Sequence, residues 1–458
     1  MVQCRNSGRK AGASREWRIK GLDNRPHFRK DTGPHSGNGQ KGDTVVAVTL
    51  AGNACIGQSG GPTVVINQSL VGVIEEARKH KEIKKLLGAR HGTRGIMKED
   101  FVDLLKIPGR RLELVAATPA AALGSVRHKP REEEFAVMLD VFKKHNIRYY
   151  FYIGGDDSAK SADIITGMAK AANYEMRVVH IPKTIDNNLM ESDHSPGFGS
   201  AARFVACAVR GDDLDNRSLP GIKVNVIMGR DAGWLTAATV LARRKEGDGP
   251  HLIYLPEVPF TIEKFIADVK EAYGKYGRCV VCVSEGIRDP QGKLWGAIAG
   301  RQVAEALKDE YKDLFGKLEM DAFGHLQLSG TGVLADFLTG RIKEGIDVTR
   351  VRGDTFGYLQ RSFVGFTSKV DAREARQVGR VAVKCACKGL DGSVAIKRRA
   401  GKKYKAYFEL VALKLVAGKN KEVSKEFICP SGNDICPSFR DYGLPLIGGM
   451  AETALLEE

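Results

Sequence analysis

The chain has 458 residues, 43% of them hydrophobic, and carries a formal net charge of +16. That length can bury a large core and, at ~150 residues per unit, divides into two to three domains. No apolar run approaches the roughly 18 residues that a membrane helix needs, and 1–42 lacks the apolar stretch of a secretory signal, so no membrane partner and a cytoplasmic location are expected.

The first segment, Met1–Gly42, holds ten lysines and arginines against three acids and shows no hydrophobic periodicity. It reads as a basic, disordered extension over 1–50; a nucleic-acid-binding arm is the alternative. The nine cysteines are scattered, and none forms a CxxC pair with partner histidines at zinc spacing. Reduced, mostly buried thiols are expected.

From Asn53 onward, short apolar runs alternate with helical patterns: ACIGQSGGP before TVVINQSLVGVIEEARKH, RYYFYIGG before SAKSADIITGMAKAA, then RVVHIP. KVNVIMG precedes a predicted helix over 234–243, and RCVVCVSEG precedes one near 302–314. This alternation predicts βαβ units and parallel sheets covered on both faces, an α/β doubly wound chain. Ligands in such folds bind beyond the carboxyl ends of the strands. GQSGGPT, GGDDS, PKTIDNN, MGRDAGW and LPE all fall there. The basic run KRRAGKKYK reads as a solvated hairpin or loop.

Taken alone, each segment permits two readings. SGGPTVVIN is a phosphate cradle or a tight turn, since glycines let backbone N–H groups approach an oxyanion. Asp186 in IPKTIDNN is a general base or a turn cap. GGDDS raises a sharper question, because a strand ending in Gly-Gly before a helix favours an anion, yet two aspartates stand there.

In order, SGGPTVVIN, GGDDS, PKTIDNN, DHSPGFGSA, MGRDAGW, YLPE, FGHLQLSG and GYLQRS resemble the phosphofructokinase family, and within it the pyrophosphate-dependent subgroup. The resemblance spans about 53–448. It implies two three-layer (αβα) Rossmann-like domains with the active site in the cleft between them. The expected donor domain is 51–197 plus about 327–365; the sugar-phosphate domain is 198–326 plus about 366–458.

The resemblance also implies an activity: reversible phosphoryl transfer from pyrophosphate to O1 of fructose 6-phosphate, with Mg²⁺, as in glycolysis and gluconeogenesis. Such transfer needs a metal-neutralised donor, cations on the moving phosphoryl group and a carboxylate near the attacking hydroxyl. By similarity, Gly61 offers its N–H to pyrophosphate, Asp156 holds the metal and Asp186 is the base. Thr184 and Ile185 lie at the acceptor end, and Arg127 spans donor and acceptor phosphates. Met228, Gly229, Arg230, Glu257, His325, Tyr358 and Arg361 are the expected sugar-phosphate contacts.

Asp157 and Lys183 carry the donor choice. ATP-using relatives have glycine at both positions, leaving room for the nucleotide's α-phosphate beside the first. A carboxylate in that room repels a phosphate about 4 Å away by roughly 4 kcal/mol at an effective dielectric of about 20, so ATP is expected to be excluded. Lys183 adds a cation toward the pyrophosphate leaving group. Two positions depart from the ATP-using pattern: Leu328 replaces an arginine and Asn188 an aspartate. The rival readings are an ATP-dependent 6-phosphofructokinase and a non-catalytic regulatory or nucleic-acid-binding homologue. No nucleic-acid partner is expected, and a homodimer or tetramer is.

Overall fold

The computed structural model describes residues 50–306, 331–401 and 403–456. The N-terminal extension, His325, Leu328 and the expected crossover near 327 lie outside them.

Eleven strands among the described residues form two sheets. The larger has the order β11-β10-β5-β4-β1-β2-β3, built from β1 (Gly52–Gln58), β2 (Ile83–Ala89), β3 (Phe101–Asp103), β4 (Ile147–Gly154), β5 (Arg177–Pro182), β10 (Gly392–Arg398) and β11 (Ala406–Val411). Its central strands are parallel, while β3 and β11 close the two edges antiparallel. The smaller sheet is parallel throughout, in the order β7-β8-β6-β9. Its strands are β6 (Ile222–Ile227), β7 (Leu252–Tyr254), β8 (Cys279–Ser284) and β9 (Val351–Thr355).

The run YYFYI shows why the large sheet is three-layered. Tyr149, Phe151 and Ile153 enter the core under the helices Ile66–Ala77 and Lys369–Cys387, whereas Tyr150 and Tyr152 enter the opposite one under Glu132–Lys144 and Asp156–Ala171. A strand apolar at every position must be covered on both faces. The small sheet behaves likewise, with Val224 and Val226 in one core and Ile227, Val280 and Cys282 in or beside another. No helix among the described residues is long and apolar enough to cross a membrane.

Sheet membership departs from the expected boundaries. β9, placed with the donor half on sequence grounds, pairs with β6 in the small sheet, and β10 and β11, placed with the sugar-phosphate half, join the large one. The chain therefore returns after β9, through the helix Lys369–Cys387. That helix carries Asp371, whose carboxylate accepts from Gly197 N, Ser200 N and Ser200 Oγ and so fixes the start of the helix Phe198–Ser218. The predicted helix over 234–243 is one α-turn, Trp234–Ala237, running into a 3₁₀ segment. The helix expected near 302–314 begins earlier, over Trp295–Ala306. β10 and β11 pair antiparallel at the two ends of KRRAGKKYK, whose described residues follow the expected hairpin.

Candidate active site

Register places the donor-side motifs together. Gln58 pairs with Ile153 and Gly154 with Pro182, so the residues following β1, β4 and β5 emerge side by side. They are Ser59-Gly60-Gly61, Gly155-Asp156-Asp157 and Lys183-Thr184-Ile185-Asp186. In the small sheet Ile227 pairs with Ser284 and Val226 with Thr355, which brings Met228, Glu285 and the segment leading to Arg361 to the corresponding edge.

The two edges face one cleft of about 430 Å³, lined by residues from both. Among the predicted residues, Gly61, Arg127, Asp156, Asp157, Lys183, Thr184, Ile185, Asp186, Met228, Arg230 and Arg361 all line it.

Lys183 is the central cation. Its ammonium is buried and donates to the Gly61 carbonyl at 2.7 Å, while its backbone N–H donates to Gly154 O at 2.9 Å. Burial, reinforced by Arg361 and Arg127, pulls its pKa down to about 7. Gly61 leaves room for the two guanidiniums: a Cβ there would lie 2.4 Å from Arg361 Nη1 and 3.5 Å from Arg127 Nη2. Three cations thus converge on one cradle, a demand that an anionic ligand meets.

Asp186 is half-buried, and burial raises its pKa against the opposing pull of Lys183. Its backbone N–H donates to Thr184 Oγ1 at 3.1 Å, so the loop's own hydroxyl orients it. Asp156 is also half-buried, with its pKa raised by burial and by neighbouring Asp157. A largely desolvated carboxylate facing an anion cradle, with hard oxygen donors, suits a divalent cation. Asp157 is held by Lys129, whose Nζ lies 3.1 Å from its Oδ1. VRHKP carried that signal, since Lys129 stands two residues after Arg127.

Among the described residues, fewer of the predicted contacts line the acceptor wall than the donor side. Gly229 bends the backbone at φ 146° and donates its N–H to Glu285 Oε1 at 3.4 Å, while Met228 N donates to Gln360 Oε1 at 3.2 Å. Tyr358 stacks on Arg361, ring centre 4.6 Å from the guanidinium carbon, and is itself outside the cleft lining. Glu257 is not in the lining either: Oε1 accepts Gly233 N at 2.8 Å and Val423 N at 2.9 Å, fastening two loops together. Sequence reasoning missed Asp231, Glu285 and Asn420, all in the wall. Glu285 was findable, as the residue following β8 in VSEG; Asn420 had no local signal.

The match to the phosphofructokinase family model extends over residues 53–386 and contains these cradle and cleft segments apart from Asn420. The chain belongs to the phosphofructokinase family. It is 47% identical over 409 residues to the pyrophosphate–fructose 6-phosphate 1-phosphotransferase of Rhodospirillum rubrum, covering 89% of this chain and 97% of that protein. The protein of the same name from Xanthomonas campestris is 37% identical, covering 88% and 93%. The crystal structure of a pyrophosphate-dependent phosphofructokinase from Marinobacter aquaeolei superposes with a TM-score of 0.75 at 32% identity, over 88% of this chain and 93% of that one. In this phosphofructokinase the family's paired Rossmann-like sheets therefore supply the two walls of the cleft.

Proposed function

We infer that this phosphofructokinase transfers a phosphoryl group from pyrophosphate to O1 of fructose 6-phosphate, giving fructose 1,6-bisphosphate and phosphate. The observation that carries the donor choice is Asp157, which stands at the helix start beside Asp156 and is fixed there by Lys129. By the family resemblance, its carboxylate takes the place that a nucleotide's α-phosphate would need. Its ion pair and its half-exposure screen the bare repulsion, so occupied space contributes alongside charge. The names of the relatives support the same donor and acceptor.

The chemistry follows from the cleft. Asp186 accepts the O1 proton as O1 attacks phosphorus, and the bond to the leaving phosphate breaks as charge gathers on that phosphate. Lys183, Arg127 and Arg361 stabilise the charge on the moving and departing groups. Thr184 and Ile185 bound the acceptor end, and the Gly61 N–H is available to a donor oxygen. Asp156 would hold a divalent cation, which we assign as Mg²⁺ and which neutralises donor charge when bound.

Among the described residues, the acceptor wall holds Arg230 and Arg361 beside Asp231 and Glu285. We infer a homodimer in which a second copy of the chain supplies further cations to the sugar phosphate, as the family resemblance implies. Coupled assay of fructose 1,6-bisphosphate formation with pyrophosphate or ATP, at several Mg²⁺ concentrations, tests the reaction. Turnover with ATP alone would contradict it. Sedimentation of the enzyme as a monomer would remove the dimer.

A further inference from the structure

Beside the donor cradle lies a second hollow of about 480 Å³, lined by Arg90, His91, Arg94, Lys98, Asp100 and the strip Ser125–Arg127. Val126 and Arg127 line both cavities, so Arg127 stands between them. The lining holds four arginine and lysine side chains against one acid. Asp100 pairs with Arg90 at 3.4 Å. Arg94, Lys98 and Arg127 form no ion pair among the described residues. His91 turns Nδ1 to the Ser125 carbonyl at 3.3 Å, which leaves Nε2 for another partner.

Three unpaired cations round one concavity repel one another unless an anion fills it. The lining offers no Tyr, Phe or Trp on which a nucleobase could stack. We propose that this hollow is a second subsite for inorganic phosphate-class anions, continuous with the donor cradle through Arg127. Resting on the donor reading above, the site takes either a separately bound pyrophosphate or the far end of a longer linear polyphosphate whose near end sits at Gly61. Both present the same phosphoryl oxygens to Arg94 and Lys98.

Calorimetric titration of the full chain with pyrophosphate and with tetrapolyphosphate, Mg²⁺ being present throughout, separates these sources. A second pyrophosphate equivalent per chain in the wild type, reduced to one in Arg94→Ala/Lys98→Ala, supports the separately bound anion. One pyrophosphate equivalent, with tetrapolyphosphate binding tighter than pyrophosphate by a margin that falls roughly fivefold for each cation removed, supports the spanning chain. One equivalent of pyrophosphate and no tetrapolyphosphate affinity sensitive to these cations overturns the proposal. Arg94 and Lys98 are exposed, so the variant should fold, and retained pyrophosphate turnover verifies this. The single charge reversal Lys98→Glu gives the same readout if the double variant does not. Absence of pyrophosphate turnover in the wild type would instead reject the donor reading.

Discussion

Lys183 Nζ donates to the carbonyl oxygen of Gly61 at 2.7 Å, across 122 residues of chain. The bond ties the loop after β5 to the loop after β1, so the residue preceding Thr184 and the proposed base Asp186 is anchored in the donor cradle. Any change in donor position is then felt at the base.

Replacing Asp186 by Ser should lower kcat by about 10² to 10⁴ while leaving fructose 6-phosphate binding within a few-fold, because a general base acts in the transition state. Single-turnover rates beside equilibrium binding check this. A kcat within a few-fold of wild type would make Asp186 a turn residue only.

The pH profile has a predicted sign. In the free enzyme Lys183 loses its proton as pH rises through about 7, so kcat/KM for pyrophosphate should fall there, while bound pyrophosphate should move the limb upward in kcat. Lys183→Met should abolish that limb, depress pyrophosphate turnover and leave ATP unused. Between pH about 7 and 10.5 the unfolded chain binds a proton that folded Lys183 lacks, so this residue weakens the fold most below pH 7. Lys183→Met should therefore have a higher Tm than wild type at pH 6, with the difference shrinking as pH approaches 10.5.

Gly61→Ala places a methyl group against Arg361 Nη1, the far end of a flexible side chain. Arg361 should move aside at little cost in stability, and misplacement of a cation by about 1 Å should lower kcat/KM for pyrophosphate by up to a hundredfold. Thermal unfolding with steady-state kinetics separates the two effects. A large fall in Tm with unchanged kcat/KM would contradict the cradle.

Glu257→Ala removes the acceptor of two backbone N–H groups, Gly233 and Val423. Loss of partners for buried donors costs about 1–3 kcal/mol each, so Tm should fall and KM for fructose 6-phosphate should rise as a secondary effect. A KM effect at unchanged Tm would restore Glu257 as a direct sugar contact.

Much of the donor side was legible because its chemistry is local. A doubly buried strand, a glycine pair and two aspartates stand consecutively in YYFYIGGDDS, and parallel pairing puts SGG and KTID beside them. The acceptor side is assembled from distant segments, so the bonds from Gly233 N and Val423 N to Glu257 Oε1 had no local signal. The placing of β9, β10 and β11 was also illegible. Sheet membership depends on which neighbour each strand meets, and β9 and β10 differ little in local pattern. Lys129 shows the intermediate case: its residue type and spacing were visible, but its pairing with Asp157 needed the folded chain.

Donor choice rests most directly on Asp157, and steady-state turnover with pyrophosphate and with ATP in the wild type and Asp157→Gly measures it. The wild type should use pyrophosphate and not ATP. In Asp157→Gly, which opens the path beyond Asp156 and releases Lys129, ATP turnover should appear or rise by at least about tenfold, and pyrophosphate turnover should fall. Unchanged ATP binding and turnover in Asp157→Gly would contradict donor exclusion by Asp157, and GGDDS would then stand as a two-carboxylate metal site.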